Sequence, residues 1–240
     1  MRVVAYYLVL AIVYPLSLLP FWLLYKLSDV LSLIAYHLIQ YRRQVVQTNL
    51  ANSFPDKNKV ALKAIEKKFY RNLCDILVED IKLLTISKSM LLKRCRFNNA
   101  DLINGYYEQG QSVIVTLGHT GNWEMCGLAT ALHLKHRSIA IYRKLSNPQF
   151  DKLVRNMRGR LGLQLVPQSD LRAMMQQLRQ PGVAYHFITD QTPWELQHAH
   201  WMNFMHQDTP VFMGTERIAR KIGMPVFYAD IKRKKRGFYE

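Results

Sequence analysis

Residues 111–124 read QSVIVTLGHTGNWE, and the change of character inside this stretch decides the fold. Residues 111–118 are short, apolar and β-branched, which predicts a buried strand. Gly118 and Gly121 then bracket a turn, where backbone freedom is needed. Residues 125–134 (MCGLATALHL) follow as a small-residue helix. Working outward, the alternation continues. Residues 138–142 (SIAIY) predict a strand, 150–161 a helix, 163–166 a strand, and 170–179 a helix with Asp170 as its N-cap. Residues 183–189 (VAYHFIT) and 225–231 (PVFYADI) predict two more strands. The expected fold class is therefore α/β: a mixed, largely parallel sheet flanked by helices. Upstream, Leu62, Ile65, Phe69, Leu73, Ile76, Leu77, Ile81 and Leu84 recur at helical spacing, so residues 59–84 predict a helix with these in the core. Lys63, Lys67, Lys68, Arg71 and Asp75 form its expected solvated face.

The N-terminus has a different composition. Residues 3–25 (VVAYYLVLAIVYPLSLLPFWLLY) contain no charge. As one helix this run would extend ~34 Å, enough for a hydrocarbon core. Pro15 is expected to kink or end the first helix, and Pro20 to open a second. Two arrangements follow: one spanning helix, or a short inserted helix and an interfacial one. Both attach the chain to a membrane. Residues 1–41 are read as this anchor and 42–240 as the catalytic domain. Bulky Phe21, Trp22 and Tyr25 stand where a signal-peptide cleavage site would need small residues. Lys26, Arg42 and Arg43 flank the apolar region, which places the body on the cytoplasmic side.

Composition narrows the partners. The 240 residues carry 33 Lys and Arg against 17 Asp and Glu, a formal net charge of +16, so an anionic partner is expected. The run KRKKR at 232–236 lacks an accompanying nucleic-acid motif and fits lipid headgroups or an acidic protein better. Cys74, Cys95 and Cys126 form no CxxC pair, so reduced, packed thiols are expected rather than a disulfide framework. His198, His200 and His206 lack a completing Cys or acid, so neither a metal nor another cofactor is expected, and these residues read as a surface loop.

The chemistry centres on His119, directly after a strand, where α/β sheets collect functional groups. Glu124 lies five residues on, about 140° away on a regular helix. The two meet only if His119 sits in the turn and Glu124 in the first helical turn. The carboxylate would then bond one ring nitrogen and raise the basicity of the other, giving a general base. A structural histidine capping the helix is the competing reading. No GxSxG is present, so direct attack by an acceptor hydroxyl on an acyl thioester is simpler than an acyl-enzyme. Other candidates are Asn122 and Trp123 beside the acid, and Arg143 and Arg160 for phosphate groups. Asp190 and Gln191 stand at a strand end, and Gly214 and Thr215 open a helix whose amides could hold an anion or thioester oxygen. For Asp190 a plain turn residue, and for Thr215 a simple cap, remain equal or blander readings.

HTGNWE resembles the H-x4-[D/E] signature of glycerolipid-type acyltransferases, and its Gly-Asn-Trp form is similar to the late acyltransferases of lipid A biosynthesis. YRRQVVQTNL (41–50), IYRKLSNPQFDKLVRNMRGR (141–160), ITDQT (188–192) and VFMGTERIARKIGMPVF (211–227) carry the resemblance along nearly the whole chain in order. It implies a Gram-negative inner membrane and a cytoplasmic active site. It also implies acyl-carrier protein as thioester donor and a lipid A precursor hydroxyl as acceptor. It further implies a final strand and helix beyond Glu240. A lysophospholipid or other glycolipid acyltransferase, or a non-catalytic membrane scaffold, are the alternatives.

Overall fold

The computed structural model describes residues 2–170, 176, 178, 180–193 and 195–240. Of the helix expected over 170–179, residues 171–175, 177 and 179 lie outside the described residues.

The chain opens with α1 (Arg2–Leu18), α2 (Phe21–Leu33) and a π-helical continuation, Ile34–Ile39. Pro15 sits inside α1 and does not end it; the break comes at Pro20, whose extended backbone caps α2. A single helix over 3–25 therefore does not form. Among the described residues, one helix is long and apolar enough to cross a membrane, Phe21–Ile39. One side of it packs inward through Phe21, Leu24, Ser28 and Tyr36, while Trp22, Val30, Leu33, Leu38 and Ile39 face out.

After α3 (Arg43–Ser53), the 24-residue α4 (Lys59–Lys82) starts at Asn58, whose Oδ1 accepts from the Ala61 amide at 2.9 Å. Its inward face corrects the periodicity reading. The buried residues are Glu66, Tyr70, Cys74, Asp75, Val78, Glu79 and Lys82, whereas Phe69 and Leu77 are exposed. Burying charge is costly unless it is paired and hydrogen-bonded, and each of these groups is. Asp75, only 1 % exposed, accepts from Ser28 at 2.7 Å, Arg233 at 2.6 Å and Arg236 at 2.5 Å. Glu79 accepts from Tyr25, Asn122 and Tyr239. Lys82 donates to the carbonyls of Ser17 and Leu19, closing the C-terminus of α1. Arg233 and Arg236 of the KRKKR run are thus tied inward, Arg236 also bonding Asp29. Lys63, Lys67, Lys68 and Arg71 do face solvent.

The body follows with α5 (Lys88–Arg94), α6 (Ala100–Glu108), β1 (Val113–Leu117), α7 (Trp123–His133), β2 (Arg137–Tyr142), α8 (Pro148–Gly159), β3 (Gln164–Pro167) and β4 (Val183–Ile188). A hairpin of β5 (His200–Phe204) and β6 (Gln207–Val211), then α9 (Gly214–Ile222), β7 (Val226–Tyr228), β8 (Arg233–Lys235) and β9 (Phe238–Tyr239) complete it. The main sheet runs β3-β2-β4-β1-β7 and is parallel throughout. One face, with Ile114, Ile139, Tyr185 and Phe187, packs against α9. The other, with Val113, Val115 and Ala184, packs against Leu134 and α6. The β5–β6 hairpin, not foreseen as strands, turns on Met205 and His206, both at positive φ as a two-residue hairpin turn requires. Cys95 and Cys126 are buried free thiols, 3.6 Å apart.

Candidate active site

Parallel pairing sets Leu117 of β1 beside Ile188 of β4. Two residues beyond each strand end stand His119 and Asp190, so the register brings them side by side. One carboxylate oxygen of Asp190 accepts from the His119 backbone amide at 2.6 Å, and the other bonds the ring Nδ1 at 2.5 Å. Gly118 allows this approach: a Cβ there would lie 3.1 Å from the Asp190 Oδ2. Gly121, at φ 57°, makes the turn into α7 where a side chain would run into Ile231. With Nδ1–H donated to Asp190, Nε2 carries the lone pair, and the Gln191 amide lies 3.3 Å from it. The Trp123 ring meets the imidazole edge-on at 4.8 Å.

Glu124 differs from the sequence expectation. It does lie in the first turn of α7, but its carboxylate turns toward α8, where Arg158 Nε donates to Oε2 at 2.8 Å and Nη2 to Oε1. The acid on the imidazole is Asp190. The Arg158 guanidinium also stands 5.5 Å from the Trp123 ring centre. Asp80 of α4 lies near the Glu124 charge; burial, reinforced by Glu124, pushes its carboxyl up to about 8. Asp80 is not among the sequence candidates, although it stands four residues after Ile76 and three after Leu77, on the apolar face of the expected helix, where an acid is the exception.

His119, Trp123, Glu124, Arg143, Arg158, Gln191 and Asp80 border one cavity of about 900 Å³. Away from this polar mouth its walls are mainly apolar, with Leu77, Ile81 and Leu84 of α4, Leu128 of α7, and Val154 and Met157 of α8. Arg143, exposed after β2, is at the same end of the sheet as His119.

The remaining candidates fall elsewhere. Asn122 is fully enclosed; its Oδ1 caps α7 at the Met125 amide and its amide donates to Glu79. Arg160 Nη1 donates to the carbonyls of Leu83 and Ile86, at the end of α4. Gly214 and Thr215 begin α9 on the opposite face of the sheet, where Thr215 borders a smaller hollow with Thr116 and Thr189. The structure thus gathers His119, Trp123, Glu124, Arg143 and Gln191 on one cavity, with Asp190 bonded to His119, and leaves Asn122, Arg160, Gly214 and Thr215 outside it.

The family model for bacterial lipid A biosynthesis acyltransferases matches residues 1–240, the whole chain. A search of curated proteins found no match.

Proposed function

The chain belongs to the bacterial lipid A biosynthesis acyltransferase family, and from that membership we propose that His119 is the general base of an acyl transfer to a lipid A precursor hydroxyl. The observation that carries this reading is an imidazole fixed by Asp190 at the mouth of an apolar cavity. Asp190 holds Nδ1–H and leaves Nε2 free to take a proton. An acceptor hydroxyl replacing the Gln191 amide at Nε2 gives up its proton there as its oxygen attacks the thioester carbonyl. The C–O bond forms and the carbonyl electrons move onto oxygen. Collapse of this oxyanion expels the thiolate, which takes the proton back from Nε2, leaving ester, free thiol and neutral imidazole. Acyl-carrier protein is the proposed donor.

In this scheme Glu124 positions Arg158 at the mouth, where the guanidinium offers donors to the oxyanion or to an acceptor phosphate. Arg143 adds charge on the same side. The apolar helices α1 and α2 would hold this mouth near membrane lipids, at the inner membrane and facing the cytoplasm. The test is His119→Ala with an acyl-carrier-protein thioester and a lipid A precursor. Transfer is expected to fall by on the order of a thousandfold or more with the fold intact; retained turnover overturns the base assignment.

A further inference from the structure

On β1, β4 and β2 the cavity below His119 reaches no deeper than one transverse row of the sheet, while beside β3 it continues past that row to Leu163. Val115 of β1, His186 of β4, Ala140 of β2 and Leu165 of β3 are successive register partners, and all four line it. The next residues down on three of these strands, Val113, Ala184 and Ser138, are buried beneath this row. Three members of the lining row are apolar. His186 is its polar member, 6 % exposed, with Nε2 enclosed and without a hydrogen-bond partner among the described residues. On the helix side, Gly127 of α7 lines the same space, and a Cβ built there meets none of the described atoms within 4 Å.

We propose that His186 and Gly127 set the length of acyl chain this protein accepts, His186 as a stop on the sheet wall of the channel and Gly127 as the opening in its helical wall. The inference rests on the cavity being the acyl site. Four residues separate the His186 row from His119 along β1, at most ~13 Å of extended strand. An extended peptide advances ~3.3–3.6 Å for every three backbone bonds, so a zigzag hydrocarbon advances ~1.2 Å per carbon and roughly ten or eleven carbons reach the His186 row. A methylene carried straight on along β1 and β4 would meet the imidazole ring, and beside the unpartnered nitrogen it would gain little from burial. A side chain on Gly127 would occupy the space the hydrocarbon needs.

The test uses saturated free fatty acids of increasing length, in two-carbon steps, competing with a fluorescent fatty acid on the whole protein. It reads the channel independently of turnover. Wild-type affinity should rise several-fold per step up to the channel's capacity and then level off. His186→Ala should move that break at least one step longer, since it removes a ring without breaking a hydrogen bond. Gly127→Leu should move it at least one step shorter, and Gly127→Ala should weaken the longest accepted chain while keeping the helix. An unchanged break in the folded variants overturns the proposal, as does a wild-type series without a break. Transfer surviving in His119→Ala would instead overturn the base assignment and leave the chain-length result standing.

Discussion

At the scale of single residues, two carboxylates compete for one role, and the geometry separates them. Asp190 clasps both the backbone amide and the ring of His119, while Glu124 is taken up by Arg158. Asp190→Asn should therefore lower kcat by on the order of 10³–10⁴, the scale seen when a base loses its orienting carboxylate, with KM little changed. Glu124→Gln loosens Arg158 and should act mainly on KM for the phosphorylated acceptor. Steady-state kinetics of the two variants check this, and the reverse split would return Glu124 to the imidazole. His119, Glu124 and Asp190 were all legible as site candidates, because each borders a strand end or the turn after one. Their pairing was not legible. Which strand lies beside β1 depends on sheet order, and β4 is about seventy residues away in sequence, so nearness in the chain favoured Glu124 over the true neighbour.

At the scale of elements, α4 shows where periodicity misleads. Counting apolar residues assigns the core to the face with most of them, a rule that assumes charges stay in water. Here Asp75 and Glu79 find partners on α2, on the turn before α7, and on β8–β9, so the charged face turns inward. Leu77, Ile81 and Leu84 are thereby released to wall the cavity. The parallel strands were legible because each holds a short, largely apolar run, such as VIVTL in β1 and VAYHFI in β4. The β5–β6 hairpin was not, since β5 is exposed along its whole length and so carries no alternation. The buried acid of α4 has a thermodynamic consequence. Asp80 keeps its proton up to about 8 in the fold, against 3.8 for an ordinary Asp, so the folded state binds more protons than the unfolded one between these values. Its contribution to stability is then present below pH ~4 and lost as pH rises toward 8. Asp80→Asn, which cannot ionise, should melt progressively higher than wild type across that window, by several degrees at pH 8, since about 1 kcal/mol shifts a domain of this size by roughly 2–4 °C. Thermal melts of both proteins at pH 4 to 8 measure it, and a pH-independent difference would show that Asp80 ionises normally.

At the scale of the whole molecule, charge and apolar surface suggest two distinct modes of lipid attachment. The net charge of +16 is not evenly available: Arg233 and Arg236 are spent on Asp75 and Asp29, whereas Lys63, Lys67 and Lys68 project from α4 into solvent. The apolar part is exposed on α1 at Tyr7, Leu8 and Ile12, and on the second helix at Trp22, Leu33, Leu38 and Ile39. These terms respond differently to salt. Screening contracts from about 8 Å at physiological ionic strength to about 3 Å at 1 M, which weakens the lysine contribution and leaves apolar insertion intact. Binding to vesicles containing anionic lipid should therefore fall with salt to a plateau, and binding to purely zwitterionic vesicles should lie near that plateau from the start. Each lysine close to an anionic surface is worth about 1 kcal/mol, so changing Lys63, Lys67 and Lys68 together to Gln should weaken low-salt binding on the order of a hundredfold and leave the high-salt plateau where it was. Vesicle sedimentation across a salt series measures both parts at once. If the triple variant binds as wild type at low salt, the basic face of α4 does not meet the membrane, and attachment rests on the apolar helices alone.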